Sequence, residues 1–178
     1  MILPKRKYLE QGVQVLFEDG HIIVVEKPAG LLSVSRDDGS GDSLHQVLKD
    51  YLPGRAYVVH RLDRETSGVM IFAKRKIAMT KLKQIFAEHA IKREYRAIVM
   101  GSPDPAKGQW ISDLKEQKDY SVCVVPKGEG ERAISHYAVE KTTKRLSCLH
   151  VALETGKKHQ IRVHCKEAGC PVLGDIRY

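Results

Sequence analysis

Short apolar segments separated by turn-forming residues recur along the chain, and this spacing constrains the fold more than any other feature. The first example is VQVLFEDGHIIVVEKPAGL, residues 13–31, in which two apolar runs flank Asp19-Gly20. A turn dipeptide between two such runs is a strong signal for a β-hairpin. Pro28 cannot donate to a strand ladder and Gly30 permits a positive φ, so the second strand must end there. The chain is therefore predicted to open with an antiparallel hairpin.

Three segments show helical periodicity. Residues 42–54 (DSLHQVLKDYLPG) repeat apolar side chains at helical spacing, with Asp42 or Ser43 as the N-cap and Pro53-Gly54 as the stop. A second helix is predicted over roughly residues 76–90. Its inner side is expected to carry Ile77, Leu82, Ile85 and Phe86. The last helix begins near Lys158 or His159 and ends at Gly169.

The remaining apolar segments predict further strands. One strand leads into His60, and GVMIFAK follows the loop after it. In KREYRAIVMG the alternation places Arg93, Tyr95, Ala97 and Val99 on one face. Residues 102–110 (SPDPAKGQW) are predicted to be a loop, followed by strands around YSVCVV, AISHYAV and LSCLHVAL. This order predicts an α+β fold: a mixed, mostly antiparallel bent sheet with flanking helices.

A chain of 178 residues is long enough for one ordinary domain. We expect residues 1–12 to form an N-terminal extension and residues 13–178 a single domain. The N-terminal segment lacks the apolar core of a signal peptide, and no run approaches the roughly 20 apolar residues that cross a bilayer. A cytoplasmic protein that does not enter the membrane is therefore expected. Its four cysteines show no C-x-x-C spacing, which favours reduced core thiols.

Positive charge is concentrated in one part of the chain. The net charge is +8, and residues 74–96 contain eight basic and two acidic side chains. Such a cluster is either a solvated face or a site for a polyanion, because each phosphate contact by lysine or arginine releases counterions. The sequence pI of about 9.3 favours a nucleic acid as the partner.

Asp63 is the first candidate for chemistry, since it lies between Arg61 and Arg64 in the loop of VVHRLDRETSGVMIFAK, residues 58–74. It could simply form a surface ion pair, which contributes little. A functional carboxylate must instead stay ionised while partly buried, and a neighbouring guanidinium favours that state. Such an environment suits a carboxylate nucleophile.

Two other groups have both a structural and a functional interpretation. His159, Arg162 and Lys166 share one face of the last predicted helix, which is either a solvated basic edge or a face turned toward a phosphate and a carboxylate. Tyr95, which has Arg93 and Arg96 close to it on the predicted strand, either packs in the core or stacks on a base.

Cofactor and metal motifs are weak. A zinc site built from Cys165, Cys170 and nearby histidines is a minor alternative. His159 and His164 are five residues apart and not the four of H-E-x-x-H, which disfavours a zinc hydrolase. The chain contains no phosphate-binding glycine motif and no G-x-S-x-G elbow, so a nucleotide cofactor and a serine nucleophile are not indicated. No metal or cofactor is therefore expected.

Four motifs resemble those of the RluA-type pseudouridine synthases, and they occur along the chain in the same order as in that family. HRLDRETSGVMIFAK is similar to the family's H-R-L-D-x-x-T-S-G segment and REYRAIVMG to its K-x-Y-x-A-x-V-x-G strand. TGKKHQIRVHCKEAGCPVLGDIRY is similar to its C-terminal block, and VLFEDGHIIVVEKPAGL also fits. The resemblance runs from about residue 13 to residue 178. It implies a catalytic domain that isomerises uridine in RNA without a metal or organic cofactor.

The resemblance also implies roles for individual residues. The catalytic aspartate falls on Asp63, the active-site tyrosine on Tyr95 and the basic partner of the aspartate on Arg162. The remaining matches are candidates for substrate binding: His60, Arg61, Thr66, Lys157, His159 and Leu173. Among these, Arg61 is a candidate to fill the gap left in the RNA stack by a flipped base, and Leu173 to line the pocket.

The chain departs from the family pattern at several points. Lys157 and Arg93 replace a family arginine and lysine, and family members continue beyond the residue that matches Tyr178. We expect no separate S4-like RNA-binding domain before Val13, so substrate choice is expected to come from the basic surface of the domain. The expected partner is rRNA or tRNA, with no obligate protein partner. The alternative function is a non-catalytic RNA-binding domain. A metal-dependent phosphohydrolase is disfavoured, because the chain lacks the residue spacings typical of metal ligands.

Overall fold

The computed structural model describes residues 7–35 and 41–178, and the chain separates into two compact units. The first extends to Ala90 and the second covers Ile91–Tyr178. Each unit contains one five-stranded sheet in which all neighbouring strands are antiparallel. The predicted α+β class with mostly antiparallel sheet is confirmed. The single predicted sheet is, however, two sheets.

The first unit contains five strands and two helices around the sheet order β1-β2-β3-β5-β4. Its strands are β1 (Lys7–Tyr8), β2 (Gln14–Glu18), β3 (Ile22–Lys27), β4 (Tyr57–Val58) and β5 (Gly68–Ala73), and its helices are α1 (Leu44–Tyr51) and α2 (Lys76–Ala87). Part of the predicted N-terminal extension therefore belongs to the sheet, since Lys7 pairs with Val15. Residues 1–6 of that extension lie outside the described residues.

The predicted hairpin joins β2 and β3. The Asp19 carboxylate closes its turn by accepting the N–H groups of His21 and Ile22, both at 2.7 Å. On β3, alternate residues Ile23, Val25 and Lys27 are fully buried. The predicted helix α1 begins after Ser43, whose hydroxyl accepts the N–H of Gln46 at 3.2 Å. Turn and cap chemistry thus place both elements where their local sequences indicate.

Helix α2 differs from its prediction on the side that faces the protein. Leu82 and Phe86 are half-buried as expected, whereas Ile77 is 65% exposed and Ile85 is 37% exposed. The helix packs on β5 and β4 along a narrow stripe that Ile77 and Ile85 do not reach. It also ends at Ala87, three residues before the predicted end.

The second unit has the sheet order β6-β10-β9-β7-β8 and one helix. Its strands are β6 (Arg93–Met100), β7 (Lys107–Glu116), β8 (Val122–Val125), β9 (Glu131–Thr142) and β10 (Leu146–Leu153), and its helix is α3 (Gln160–Glu167). The predicted inner face of β6 is confirmed, because alternate residues from Arg93 to Val99 are half-buried or buried while those between are exposed. The larger apolar cluster of the second unit comprises Ala97, Val99, Tyr137, Leu149, Val151, Cys165 and Cys170.

Strand β7 overturns part of the predicted loop at residues 102–110. It pairs with β9 from Lys107 opposite Ala138 to Leu114 opposite Glu131. The Trp110 ring stacks on Tyr137 with centroids 4.0 Å apart. Glycine at position 108 suits this strand, since an added Cβ would lie 2.9 Å from the Tyr137 hydroxyl. Long-range pairing and this aromatic contact override the local loop signal.

The cysteines are all free thiols, but only two are core residues. Cys165 and Cys170 are buried, and burial raises the pKa of Cys165 to about 12. Cys123 and Cys148 are half-buried, so their assignment to the core was wrong. Among residues 7–35 and 41–178, no helix combines the length and apolar character needed to cross a membrane.

Candidate functional site

The three predicted catalytic residues divide between the two units. Asp63 lies in the loop between β4 and β5 of the first unit, and its side chain is half-buried. Tyr95 on β6 and Arg162 on α3 belong to the second unit and are also half-buried. The pairing of Asp63 with Arg162 stays a prediction.

Hydrogen bonds hold the backbone on both sides of Asp63. The N–H of Leu62 donates to Ser33 Oγ at 3.0 Å, and that hydroxyl donates to the carbonyl of Leu62 at 2.6 Å. Both residues are buried. On the other side, the N–H of Thr66 donates to the carbonyl of Asp63 at 3.1 Å and closes a turn. A loop held in this way presents its carboxylate in a defined position, as a reacting group requires.

A fully buried lysine supports the same loop through hydrogen bonds to backbone carbonyls. Lys27 Nζ donates to three backbone carbonyls, those of Pro28 at 2.9 Å, Leu31 at 2.7 Å and Arg64 at 3.0 Å. Burial lowers the pKa of Lys27, while the charges of Glu65 and Asp63 oppose that effect. The ammonium therefore places positive charge close to the predicted catalytic carboxylate and fixes the backbone that follows it.

Sequence reasoning missed Lys27, although the alternation contained the signal. Ile23, Val25 and Lys27 occupy alternate positions of one strand, and all three are fully buried. A charged residue at an inward-facing position of a strand is rare unless its charge is compensated. Here the compensation comes from loop carbonyls, which a sequence pattern does not reveal.

His60 anchors the start of the loop that carries Asp63. Its Nε2 accepts the N–H of Ile71 at 3.1 Å, and its ring stacks on Phe86 of α2 with centroids 4.6 Å apart. These contacts give His60 a structural role, and its predicted contact with substrate stays a prediction. Arg61 is exposed and Thr66 is half-buried, so both remain candidates for substrate binding. Arg64 Nε donates to the carbonyl of Gly30 at 2.9 Å.

In the second unit, Tyr95 lies on the inner face of β6 opposite Val151 of β10. Its partly buried ring packs against the apolar core of this unit. Leu173 lies next to the same strand, because its N–H donates to the carbonyl of Ile98 at 2.8 Å. Leu173 is 49% exposed, and its predicted position in the pocket stays a prediction.

Arg162 forms a two-point ion pair that sequence reasoning did not identify. Its Nε and Nη2 donate to the two carboxylate oxygens of Asp175, at 2.6 and 2.9 Å. The guanidinium carbon also lies 4.9 Å from the centre of the Tyr178 ring. Burial would raise the pKa of Asp175, but the Arg162 hydrogen bonds and the N–H groups of Arg177 and Tyr178 outweigh it and keep that pKa below its ordinary value. Asp175 therefore holds the guanidinium in one orientation.

His159 and Lys157 are held at the start of α3. His159 is the N-cap in a left-handed conformation, with φ of 54°, and its Nδ1 lies 2.6 Å from the Tyr178 hydroxyl. That hydroxyl also accepts the N–H of Val122 at 2.8 Å. Lys157 Nζ binds Glu131 at 2.6 Å. The predicted contacts of His159 and Lys157 with substrate stay predictions.

A buried polar network joins α3 to the sheet. The Gln160 side chain accepts the N–H of Lys157 and donates to the carbonyl of Ile134 and to Ser135 Oγ, each at 2.9 Å. His164 Nδ1 lies 2.9 Å from the same Ser135 hydroxyl, and its Nε2 lies 2.9 Å from Ser112 Oγ. Gln160, His164, Asp175 and Tyr178 all occur in the C-terminal motif, which was the available signal for their importance. Their partners on distant strands were not visible in it.

Among the described residues, no group of three or more histidine, cysteine, aspartate or glutamate side chains is arranged to hold a metal ion. The predicted catalytic groups are a carboxylate in one unit and a tyrosine and a guanidinium in the other. A carboxylate can attack or assist elimination, a tyrosine can relay a proton, and a guanidinium can stabilise an anion.

Comparison with known proteins identifies the family of this chain. Residues 21–167 match the family described as RNA pseudouridylate synthase. The chain is 35% identical to ribosomal large subunit pseudouridine synthase D of Zymomonas mobilis, over 93% of this chain and 56% of that protein. It is 38% identical to the dual-specificity RNA pseudouridine synthase RluA of Escherichia coli K12, over 95% of this chain and 78% of that protein. The chain thus spans little more than half of the first relative.

The fold agrees with these sequence matches. The solved structure of human RNA Pseudouridylate Synthase Domain Containing 4 superposes with a TM-score of 0.76 at 27% identity. The alignment covers 92% of this chain and 68% of the human chain.

Proposed function

Because the chain belongs to the RNA pseudouridylate synthase family, we propose that it isomerises uridine to pseudouridine in RNA. The observation that carries the proposal is the half-buried Asp63, which lies inside the matched region in a loop fixed by Ser33, Lys27 and His60. A surface aspartate in a simple ion pair would not require this support. The substrate is a specific uridine of structured rRNA or tRNA. The predicted cytoplasmic location belongs to the same proposal.

The reaction requires three events at one nucleotide. The bond between N1 of uracil and C1′ of ribose breaks, the base turns, and C5 bonds to the same C1′. The proton on C5 must then leave, and N1 ends with a proton. Asp63 serves this sequence either by adding to the sugar or base or by assisting elimination from the ribose. Neither route needs a metal or an organic cofactor.

The other predicted residues complete the proposed site. Tyr95 carries or relays the C5 proton and holds the detached base. Arg162 is the cationic partner that keeps Asp63 ionised, and its ion pair with Asp175 orients it for that role. Arg61, which is exposed, occupies the space left by the extruded base. Thr66, His60, Lys157, His159 and Leu173 are proposed to contact the substrate.

The direct test measures loss of the C5 hydrogen. The protein is incubated with rRNA and tRNA transcribed with uridine that carries tritium at C5, and released tritium is counted. Modified positions are then mapped by chemical probing for pseudouridine. The wild-type protein should release tritium at discrete sites. Asp63→Asn, which keeps the shape of the side chain and removes its charge, should lower the rate by at least about a thousandfold.

A matched control is available in the same loop. Glu65 is an exposed carboxylate two residues from Asp63, so Glu65→Gln removes an equal charge near the site. We expect Glu65→Gln to retain activity within about threefold, since exposed ion pairs contribute little. Equal activity of Asp63→Asn and wild type would exclude Asp63 as the catalytic carboxylate.

Tyr95→Phe separates proton transfer from packing. The ring and its core contacts remain, so we expect the fold and RNA affinity to persist while tritium release falls by about a hundredfold or more. Tyr120→Phe at an exposed tyrosine is the control. A Tyr95→Phe protein with the wild-type rate would assign Tyr95 to packing alone.

Two controls separate the competing functions. Turnover that survives a metal chelator excludes a metal-dependent hydrolase. RNA binding without tritium release from any transcript would instead support the non-catalytic RNA-binding domain and contradict the proposed activity.

A further inference from the structure

Helix α2 carries positive charge that the catalytic proposal does not use. Its twelve residues include three lysines and no acidic residue. Lys76, Lys81 and Lys83 are exposed, and within residues 7–35 and 41–178 none of them forms an ion pair with a carboxylate. We call the exposed side of α2, which these three lysines border on its two flanks, the lysine face of α2.

The distribution of charge along α2 opposes the helix dipole. Anions stabilise the N-terminal end of a helix and cations the C-terminal end. In α2 the N-cap is Arg75 without a capping hydrogen bond, Lys76 is the first helical residue, and neither an acid in the first turn nor a base in the last is present. Helix stability therefore does not explain this arrangement. Residues that violate a local rule in this way are typical of functional surfaces.

The helix is also attached to the catalytic loop. It packs on β4 and β5, the two strands that the loop connects. Phe86 of α2 stacks on His60, three residues before Asp63, and the N–H of Ile71 on β5 donates to the same imidazole. The lysine face thus belongs to a rigid element that contacts the base of the loop carrying Asp63.

We propose that the lysine face of α2 binds phosphates of the RNA strand next to the uridine presented to Asp63. This inference rests on the proposed function and adds the surface that holds the substrate strand. Lys76 and Lys83 are two helical turns apart on one flank, about 10.5 Å along the axis, and Lys81 lies on the other flank. A strand that crosses the exposed side of α2 contacts both flanks. The contacts are electrostatic and carry no base specificity.

Counterion release sets the size of the effect. Each phosphate neutralised in a single strand contributes about 0.7 to the slope of log K against log salt concentration. Removing three such contacts should lower the slope by about 2, which corresponds to about a hundredfold weaker binding at 0.1 M salt. Because the lysines touch no reacting atom, KM should rise while kcat at saturating RNA stays within about twofold.

The test compares two triple variants with the same change in net charge. One is Lys76→Gln, Lys81→Gln, Lys83→Gln, and the other is Lys118→Gln, Lys127→Gln, Lys144→Gln at exposed lysines of the second unit. Binding of labelled transcripts of a tRNA and of a ribosomal stem-loop is measured by anisotropy at several salt concentrations. The α2 triple should show the reduced slope, and the control triple should change it by less than about 0.5. Lysine-to-arginine replacement at the α2 positions should restore wild-type binding.

Lys76→Glu provides an independent test, because it should maintain or raise the stability of the protein while it lowers the affinity for RNA. An acid at the first helical position complements the dipole, so the thermal unfolding temperature should stay equal or rise. RNA affinity should nevertheless fall by about fivefold or more at 0.1 M salt. A destabilised fold could not produce this combination of results.

The outcomes distinguish the inference from the function on which it rests. If the two triple variants show the same dependence of log K on log salt concentration while tritium release persists, the proposed phosphate binding by the lysine face is wrong. The proposed function would not be affected by that result. A reduced slope for the α2 triple together with wild-type protein that releases no tritium would support the phosphate contacts and contradict the proposed activity.

Discussion

Acid should destabilise the second unit through one buried imidazole. His164 is 3% exposed, and its two nitrogens lie 2.9 Å from Ser112 Oγ and Ser135 Oγ. Burial lowers its pKa from 6.5 to about 4. The folded protein therefore keeps this ring neutral under conditions in which the unfolded chain protonates it.

The sign and size of the effect follow from proton linkage. Between the folded pKa of about 4 and the unfolded pKa of 6.5, the unfolded state binds a proton that the folded state excludes. The free energy of unfolding therefore falls as pH decreases through this window. Each pH unit within the window is worth about 1.4 kcal/mol, so the full loss reaches about 3 kcal/mol near pH 4.

His164→Gln removes the titrating group and keeps an amide that can donate and accept. At neutral pH we expect the variant to be less stable by about 1–2 kcal/mol, because one of two buried hydrogen bonds is lost. The free energy of unfolding that the wild type loses in acid reaches the same size at about pH 5 to 5.5. Below that pH the variant should become the more stable protein.

Urea unfolding at several pH values, followed by tryptophan fluorescence, measures both curves. Trp110 is the single tryptophan of the chain, and it reports on the second unit because it stacks on Tyr137. Carboxylates whose pKa is lowered, such as Asp113 and Asp175, contribute to both proteins and largely cancel in the difference. Two stability curves that remain parallel from neutral pH to pH 4 would refute the assignment of the acid loss to His164.

Three further predictions concern the framework of the two units. Lys27→Met removes the ammonium that donates to the carbonyls of Pro28, Leu31 and Arg64, and thermal or urea unfolding should show a loss of about 1–3 kcal/mol. Asp175→Asn removes the charge that orients Arg162; it should cost about 1–3 kcal/mol in urea unfolding, and tritium release from RNA should fall while RNA affinity persists. Gly130→Ala places a Cβ 2.6 Å from the Leu114 carbonyl oxygen and should cost about 1–3 kcal/mol. Gly20→Ala meets nothing within 4 Å, so its unfolding midpoint should match the wild type.

Much of the fold follows from local sequence. The turn at Asp19, the cap at Ser43 and the alternation of β6 each place their element where the pattern indicates. These features depend on residues within a few positions of each other, so periodicity and capping chemistry are sufficient to predict them. The motif around Asp63 likewise identified the family that the comparisons confirm. The catalytic roles carried over with that motif stay predictions.

Elements whose stability comes from distant partners were predicted less well. Strand β7 was partly assigned to a loop, because Pro103 and Pro105 lie just before it. Its pairing partner β9 begins fifteen residues after β7 ends, so the local sequence does not show the pairing. Ile77 and Ile85 were placed on the inner side of α2, but helical periodicity defines a stripe without telling how wide a stripe the neighbouring sheet covers.

The sequence by itself therefore determined most of the strand and helix segments, the α+β class and the family. Tertiary structure decided how the buried charged and polar side chains are satisfied: Lys27 by three loop carbonyls, Arg162 by Asp175, and His164 by two serines. The physical reason is that burying a charged or polar group is unfavourable unless partners surround it. Those partners come from segments that only the folded chain brings together.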